Sequence, residues 1–89
     1  MIEREVMIVN KLGLHARASA KLVQLLQPFK CQAFLTFRGR EINAKSIMGV
    51  MMLAAGVGNP ISLRTDGEDE EAAMTALVDL FARKFDEGA

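Results

Sequence analysis

The chain has 89 residues, of which 51% are hydrophobic and 25% charged, enough for one compact domain and too apolar for disorder. Eleven basic side chains balance eleven acidic ones, the longest purely apolar run (Val50 to Ala55) cannot span a bilayer, and one cysteine, Cys31, excludes an internal disulfide. The lone cysteine fits a reducing compartment, and Met1-Ile2-Glu3-Arg4-Glu5 lacks the basic-then-apolar pattern of a leader, so a cytoplasmic protein is expected.

Ile2 to Val9 alternates, with Ile2, Val6 and Ile8 on one face and Glu3 and Glu5 on the other, which predicts a strand. Asn10-Lys11-Leu12-Gly13-Leu14 breaks it with turn residues. From Ala16 to Gln27 the period becomes helical. Ala18, Leu22, Leu25 and Leu26 form an apolar stripe opposite Arg17, Lys21 and Gln24. Pro28 ends the helix, because it has no amide hydrogen and clashes with the preceding turn. Cys31 to Phe37 reads as a second strand with Ala33 and Leu35 inward, and Cys31 as a packing residue. Arg38-Gly39-Arg40 reads as a hairpin turn into a third strand over Glu41 to Ala44.

Ser46 is placed to cap a short helix, Ile47 to Leu53, which the Gly56-Val57-Gly58-Asn59-Pro60 breaker closes. Val50 and Leu53 are expected inward. Ile61, Leu63 and Thr65 alternate with Ser62 and Arg64 as a fourth strand. Glu68-Asp69-Glu70-Glu71 then opens a last helix with acids that suit its N-terminus, and Met74, Leu77, Val78 and Phe81 continue one face towards Phe85. The order β-α-β-β-α-β-α, with too few helices to cover two faces, predicts an α+β fold: one mostly antiparallel four-stranded sheet with helices on one side.

Charge is unevenly spread. Asn10 to Lys45 holds seven bases (Lys11, Arg17, Lys21, Lys30, Arg38, Arg40, Lys45) and one acid, Glu41, while the flanks hold four bases and ten acids. A basic face for docking acidic surfaces and a merely solvated exterior both fit this pattern.

His15, the single histidine, falls where the strand-exit turn meets the first helix. The first amides of a helix lack intrahelical acceptors and carry partial positive charge, so an anion is welcome there. Such a field also favours the neutral, nucleophilic imidazole. Arg17 can offer a planar fork of donors to a phosphate. A nucleophile beside a phosphate cradle suits covalent phosphoryl chemistry, although a solvated surface histidine would fit these residues alone. No metal set is visible, since there is no second histidine and Cys31 has no CxxC partner, and no Ser-His-acid triad is convincing. No cofactor is called for.

Asn10-Lys11-Leu12-Gly13-Leu14-His15-Ala16-Arg17 resembles the active-site segment of HPr, the histidine-containing phosphocarrier family of the bacterial phosphotransferase system. Ala44-Lys45-Ser46-Ile47-Met48-Gly49-Val50-Met51 is similar to that family's regulatory serine segment, and the likeness in length and element order covers residues 1–89 as a single domain. The resemblance implies an open-faced β-sandwich of four antiparallel strands under three helices. It implies that His15 accepts phosphate on Nδ1 from phosphorylated enzyme I, which draws it from phosphoenolpyruvate, and donates it to IIA-type proteins. The phosphoryl group would meet the amides of Ala16 and Arg17 and the Arg17 side chain, held only moderately so that it can leave. Ser46 would be phosphorylated by HPr kinase/phosphorylase and act as a brake through its charge. Ile47, Met48 and Met51 would face outward as a docking patch, with Lys21 and Lys45 contributing to partner binding. The family's usual proline after the arginine is Ala18 here, which implies a looser helix start.

On this view the chain is a carrier rather than an enzyme acting on a free substrate, and monomer is the default expectation. A regulatory binding module in which His15 does little is the alternative, with the nitrogen-branch paralogue disfavoured by Lys45-Ser46-Ile47-Met48-Gly49. An RNA-binding or acylphosphatase-like βαββαβ domain is a third class. Without Tyr, Trp or an aromatic RNA-binding strand, no nucleic-acid partner is expected, and neither is membrane insertion.

Overall fold

Alternating side chains in four strands and 3.6-residue stripes in three helices bury one common core. The computed structural model describes residues 1–87 and gives the order β1 (Ile2–Met7), α1 (Ala16–Leu26), β2 (Gln32–Phe37), β3 (Arg40–Asn43), α2 (Ile47–Met52), β4 (Pro60–Asp66) and α3 (Glu70–Ala82). The sheet order is β1-β4-β2-β3 and every pairing is antiparallel, with Val6 opposite Ile61, Leu35 opposite Leu63 and Leu35 opposite Ile42. Ala33, Leu35, Ile61, Leu63 and Thr65 point into the core beneath the helices, while Phe34, Thr36, Ser62 and Arg64 line the more open face. On that face Arg64 lies over the Phe34 ring, 4.5 Å from its centre, and pairs with Glu41 at 3.0 Å. The expected α+β architecture is thus the observed one. No helix among the described residues is long and apolar enough to cross a membrane.

Several boundaries differ from expectation for identifiable reasons. The hairpin turn is two residues long: Arg38 and Gly39 both have positive φ (51° and 79°), which matches the twist of the strands and starts β3 one residue early. Leu25 is only partly buried, whereas Val23 and Ser19 are buried, so the inward stripe of α1 is rotated from the predicted one. Ser19 is tolerated there because its hydroxyl donates to the Leu14 carbonyl at 3.4 Å.

The last helix stops at Ala82 rather than running on towards Phe85. Lys84, Phe85 and Asp86 adopt left-handed φ values of 57°, 54° and 60°, and the turn drives Phe85 into the core edge-on to Phe81, with ring centres 4.9 Å apart. Asp69 precedes α3 but does not cap it. Its carboxylate instead accepts from the amides of Lys30 and Cys31 at 2.8 and 2.9 Å, which ties the entry of β2 to the start of α3 and holds the Asp69 carboxyl below its usual range.

Candidate functional site

The turn from β1 to α1 is locked before the helix begins. Gly13 has φ +64°, and a Cβ there would lie 2.5 Å from the Ala55 carbonyl oxygen, so only glycine lets this loop press against residues 55 and 56. Leu14 then donates its amide to Ala55 O at 3.0 Å, and the next residue, His15, becomes the N-cap of α1. Its backbone is extended, and its Nδ1 accepts from the Arg17 amide at 3.3 Å, the role a serine or aspartate oxygen usually fills. The Nδ1 lone pair therefore faces the helix N-terminus.

The other ring nitrogen is also engaged. His15 Nε2 contacts Glu87 Oε2, while Glu87 Oε1 accepts from Asn10 Nδ2 at 3.1 Å. Asn10 is fully buried and also donates to the Gly13 carbonyl at 2.7 Å, so the loop, the ring and the C-terminal segment form one polar chain. Burial pushes the Glu87 carboxyl up. Hydrogen bonds from His15 and Asn10 and the charges of His15 and Lys21 outweigh it and hold the group below the usual carboxylate range. Lys11, Leu12, His15, Ala16, Arg17 and Glu87 line an open cleft of about 750 Å³. Arg17 is exposed, and its guanidinium has no carboxylate partner among the described residues. A partly exposed imidazole, two helix-start amides and a guanidinium with no carboxylate partner among the described residues share one cleft and can hold a tetrahedral anion on Nδ1.

Comparison with known proteins decides the family. A family model described as the phosphorylation site of the HPr component of the phosphotransferase system matches residues 2–83. The chain belongs to the HPr family. It is 58% identical over 88 residues to the phosphocarrier protein HPr of Cupriavidus necator, covering 99% of both chains. The HPr of Neisseria meningitidis is 51% identical over 88 residues, again covering 99% of each chain. Among solved structures, an HPr of Thermoanaerobacter tengcongensis superposes with a TM-score of 0.94 at 46% identity, covering 98% of both chains.

The remaining residues singled out by the resemblance to HPr fall into two groups. Ser46 is the N-cap of α2, and its hydroxyl accepts from the Gly49 amide at 3.1 Å. Ile47, Met48 and Met51 are exposed (43%, 71% and 41%), as is Met52, whereas Val50 and Leu53 are buried as expected. Lys21 and Lys45 are less free than the sequence implied. Lys21 Nζ donates to the Phe85 carbonyl at 2.8 Å and Lys45 Nζ to the Phe29 carbonyl at 2.6 Å. The sequence reading missed Glu87 and the buried Asn10. Asn10 stands in the motif, but nothing in the sequence marks it as more than a turn residue. Glu87 lies 72 residues from His15, and no local pattern marks it.

Proposed function

We propose that this HPr-family protein is a cytoplasmic carrier that takes a phosphoryl group on His15 Nδ1 from phosphorylated enzyme I and passes it to IIA-type proteins. The observation that carries the reading is the capping geometry of His15: Nδ1 presents its lone pair at a helix N-terminus, beside an arginine with no carboxylate partner among the described residues. An incoming phosphoryl group bonds to the Nδ1 lone pair and displaces its hydrogen bond from the Arg17 amide, and the amides of Ala16 and Arg17 and the Arg17 guanidinium supply donors for its oxygens. None of these donors encloses the group, and the open cleft favours a phosphate that can leave again.

Ile47, Met48 and Met51 serve as the adaptable docking patch. Their exposure supports this role, because a six-residue helix anchored by Val50 has no packing reason to present four large apolar side chains. Ser46 serves as the regulatory site for HPr kinase/phosphorylase. Its position as an N-cap supports that role, since phosphate at a helix start need not disturb the fold.

The test is incubation with phosphoenolpyruvate and enzyme I followed by intact mass, with His15→Ala as the control. One acid-labile phosphoryl group on the wild type and none on the variant is the expected result. Equal uptake by both proteins, or none with an active enzyme I, would refute the assignment.

A further inference from the structure

Phosphoryl transfer on Nδ1 leaves the other half of the imidazole unaccounted for. His15 Nε2 contacts Glu87, whose carboxylate is held from its far side by the buried amide of Asn10. The segment that delivers Glu87 is fixed rather than draped. Phe85 is fully buried, its carbonyl accepts from Lys21 Nζ at 2.8 Å, and Lys84, Phe85 and Asp86 are three successive left-handed residues, none of them glycine. Such a run persists only where its surroundings over-determine it. The Glu87 side chain is 11% exposed, against 27% for His15. A carboxylate with no task would lie in water, not beneath a ring that is to carry a dianion.

We propose that Glu87 is a positioning residue for His15, holding the Nε2 proton throughout the transfer cycle so that Nδ1 alone gains and loses the phosphoryl group. The inference rests on His15 being the phosphorylated residue and deepens that reading. As the Nδ1 lone pair forms its bond to phosphorus, the phosphorus–nitrogen bond of the donor breaks and the donor nitrogen departs with the electron pair. The imidazole becomes cationic, its Nε2–H stays in place, and the Glu87 carboxylate is the counter-charge. In the onward step the N–P electron pair returns to Nδ1, and the ring leaves as neutral imidazole rather than imidazolate. The arrangement follows the logic by which an acid orients and stabilises the histidine of a hydrolytic triad.

The phosphate is not repelled outright, because it approaches Nδ1, which faces the Arg17 amide, while the carboxylate occupies the opposite nitrogen. Among the described residues, the other charged groups facing the pair are Lys11 and Arg17 around the cleft and Lys21 from α1. On the C-terminal side, Arg83 is paired with Asp79 and Asp86.

The test uses potassium phosphoramidate, a small N–P donor that loses ammonia, on wild type, Glu87→Gln and His15→Ala, with intact mass and the rate of phosphate loss followed from pH 4 to 9. Wild type and Glu87→Gln should each take one phosphoryl group and His15→Ala none. Protonated phosphohistidine is the labile form, so removing the carboxylate should move the profile of phosphate loss to lower pH by about 1 unit. Near neutrality Glu87→Gln should then hold its phosphate roughly tenfold longer, with an unchanged circular dichroism spectrum. Coincident profiles would mean that Glu87 only tacks down the C-terminal segment, and the proposal would fall while the His15 assignment stood. Uptake by His15→Ala would instead overturn that assignment. Imidazole ¹⁵N shifts of the unphosphorylated wild type give a check that needs no phosphate: the neutral ring should carry its proton on Nε2, and a proton on Nδ1 would also overturn the proposal.

Discussion

Glu87 has a measurable consequence for stability as well as for chemistry. Its folded-state carboxyl titrates below the usual range, because the hydrogen bonds and charges around it outweigh burial. The unfolded chain therefore binds the proton more readily as pH falls, and stability drops with it. The Glu87 contribution is complete above the ordinary glutamate value and is lost as pH falls through the depressed one. Glu87→Gln should be less stable than wild type at pH 6, and the gap should close by about pH 2, measured by urea unfolding. A gap that stays constant over that range would show that packing, not ionisation, is what the substitution removes. This residue also marks the limit of what the sequence discloses. His15 and Arg17 are near neighbours whose chemistry can be read from their spacing. The carboxylate that meets Nε2 arrives only when the chain closes on itself.

Elements were more legible than their ends. The strands and helices follow from periods of two and 3.6, which need only local residues. The boundaries failed where tertiary contacts decide them. Phe85 finds a better partner in Phe81 than in a further helical turn, and Lys84-Phe85-Asp86 gives no glycine to warn of the left-handed exit. The start of α1 offers a test at this scale. Ala18 is the third residue of the helix, and its amide has no hydrogen-bond acceptor among the described residues, so a proline there would forfeit no bond. Ala18→Pro should stabilise the protein by about 0.4–1 kcal/mol by restricting the unfolded chain. The melting temperature should rise by roughly 2–8 °C. Ala18 is fully buried, so a fall instead would show that the packed core has no room for the ring.

At the scale of the whole molecule, the segregation of charge along the chain becomes segregation by element. Glu3 and Glu5 lie on β1 and Glu70, Glu71 and Asp79 on α3, while Lys11 and Arg17 border the cleft. The basic block does not act as one surface, because part of it is committed internally. Lys21 and Lys45 bind carbonyls, Arg38 lies 4.9 Å from the centre of the Phe37 ring, and Arg40 donates to Met52 O at 3.2 Å. The free charges near the site are thus few, and a phosphate on Ser46 would change the local field by a large fraction. Aspartate caps helices as well as serine does, so Ser46→Asp should keep α2 intact and add only charge. At low ionic strength it should accept phosphate from enzyme I about tenfold more slowly than wild type. The screening length shrinks from about 30 Å at 0.01 M salt to about 3 Å at 1 M, so the two rates should converge as salt is raised. A deficit that persists undiminished in high salt would mean that Ser46 acts by altering the contact surface of α2. The brake would then be steric, and the charge of the phosphate incidental.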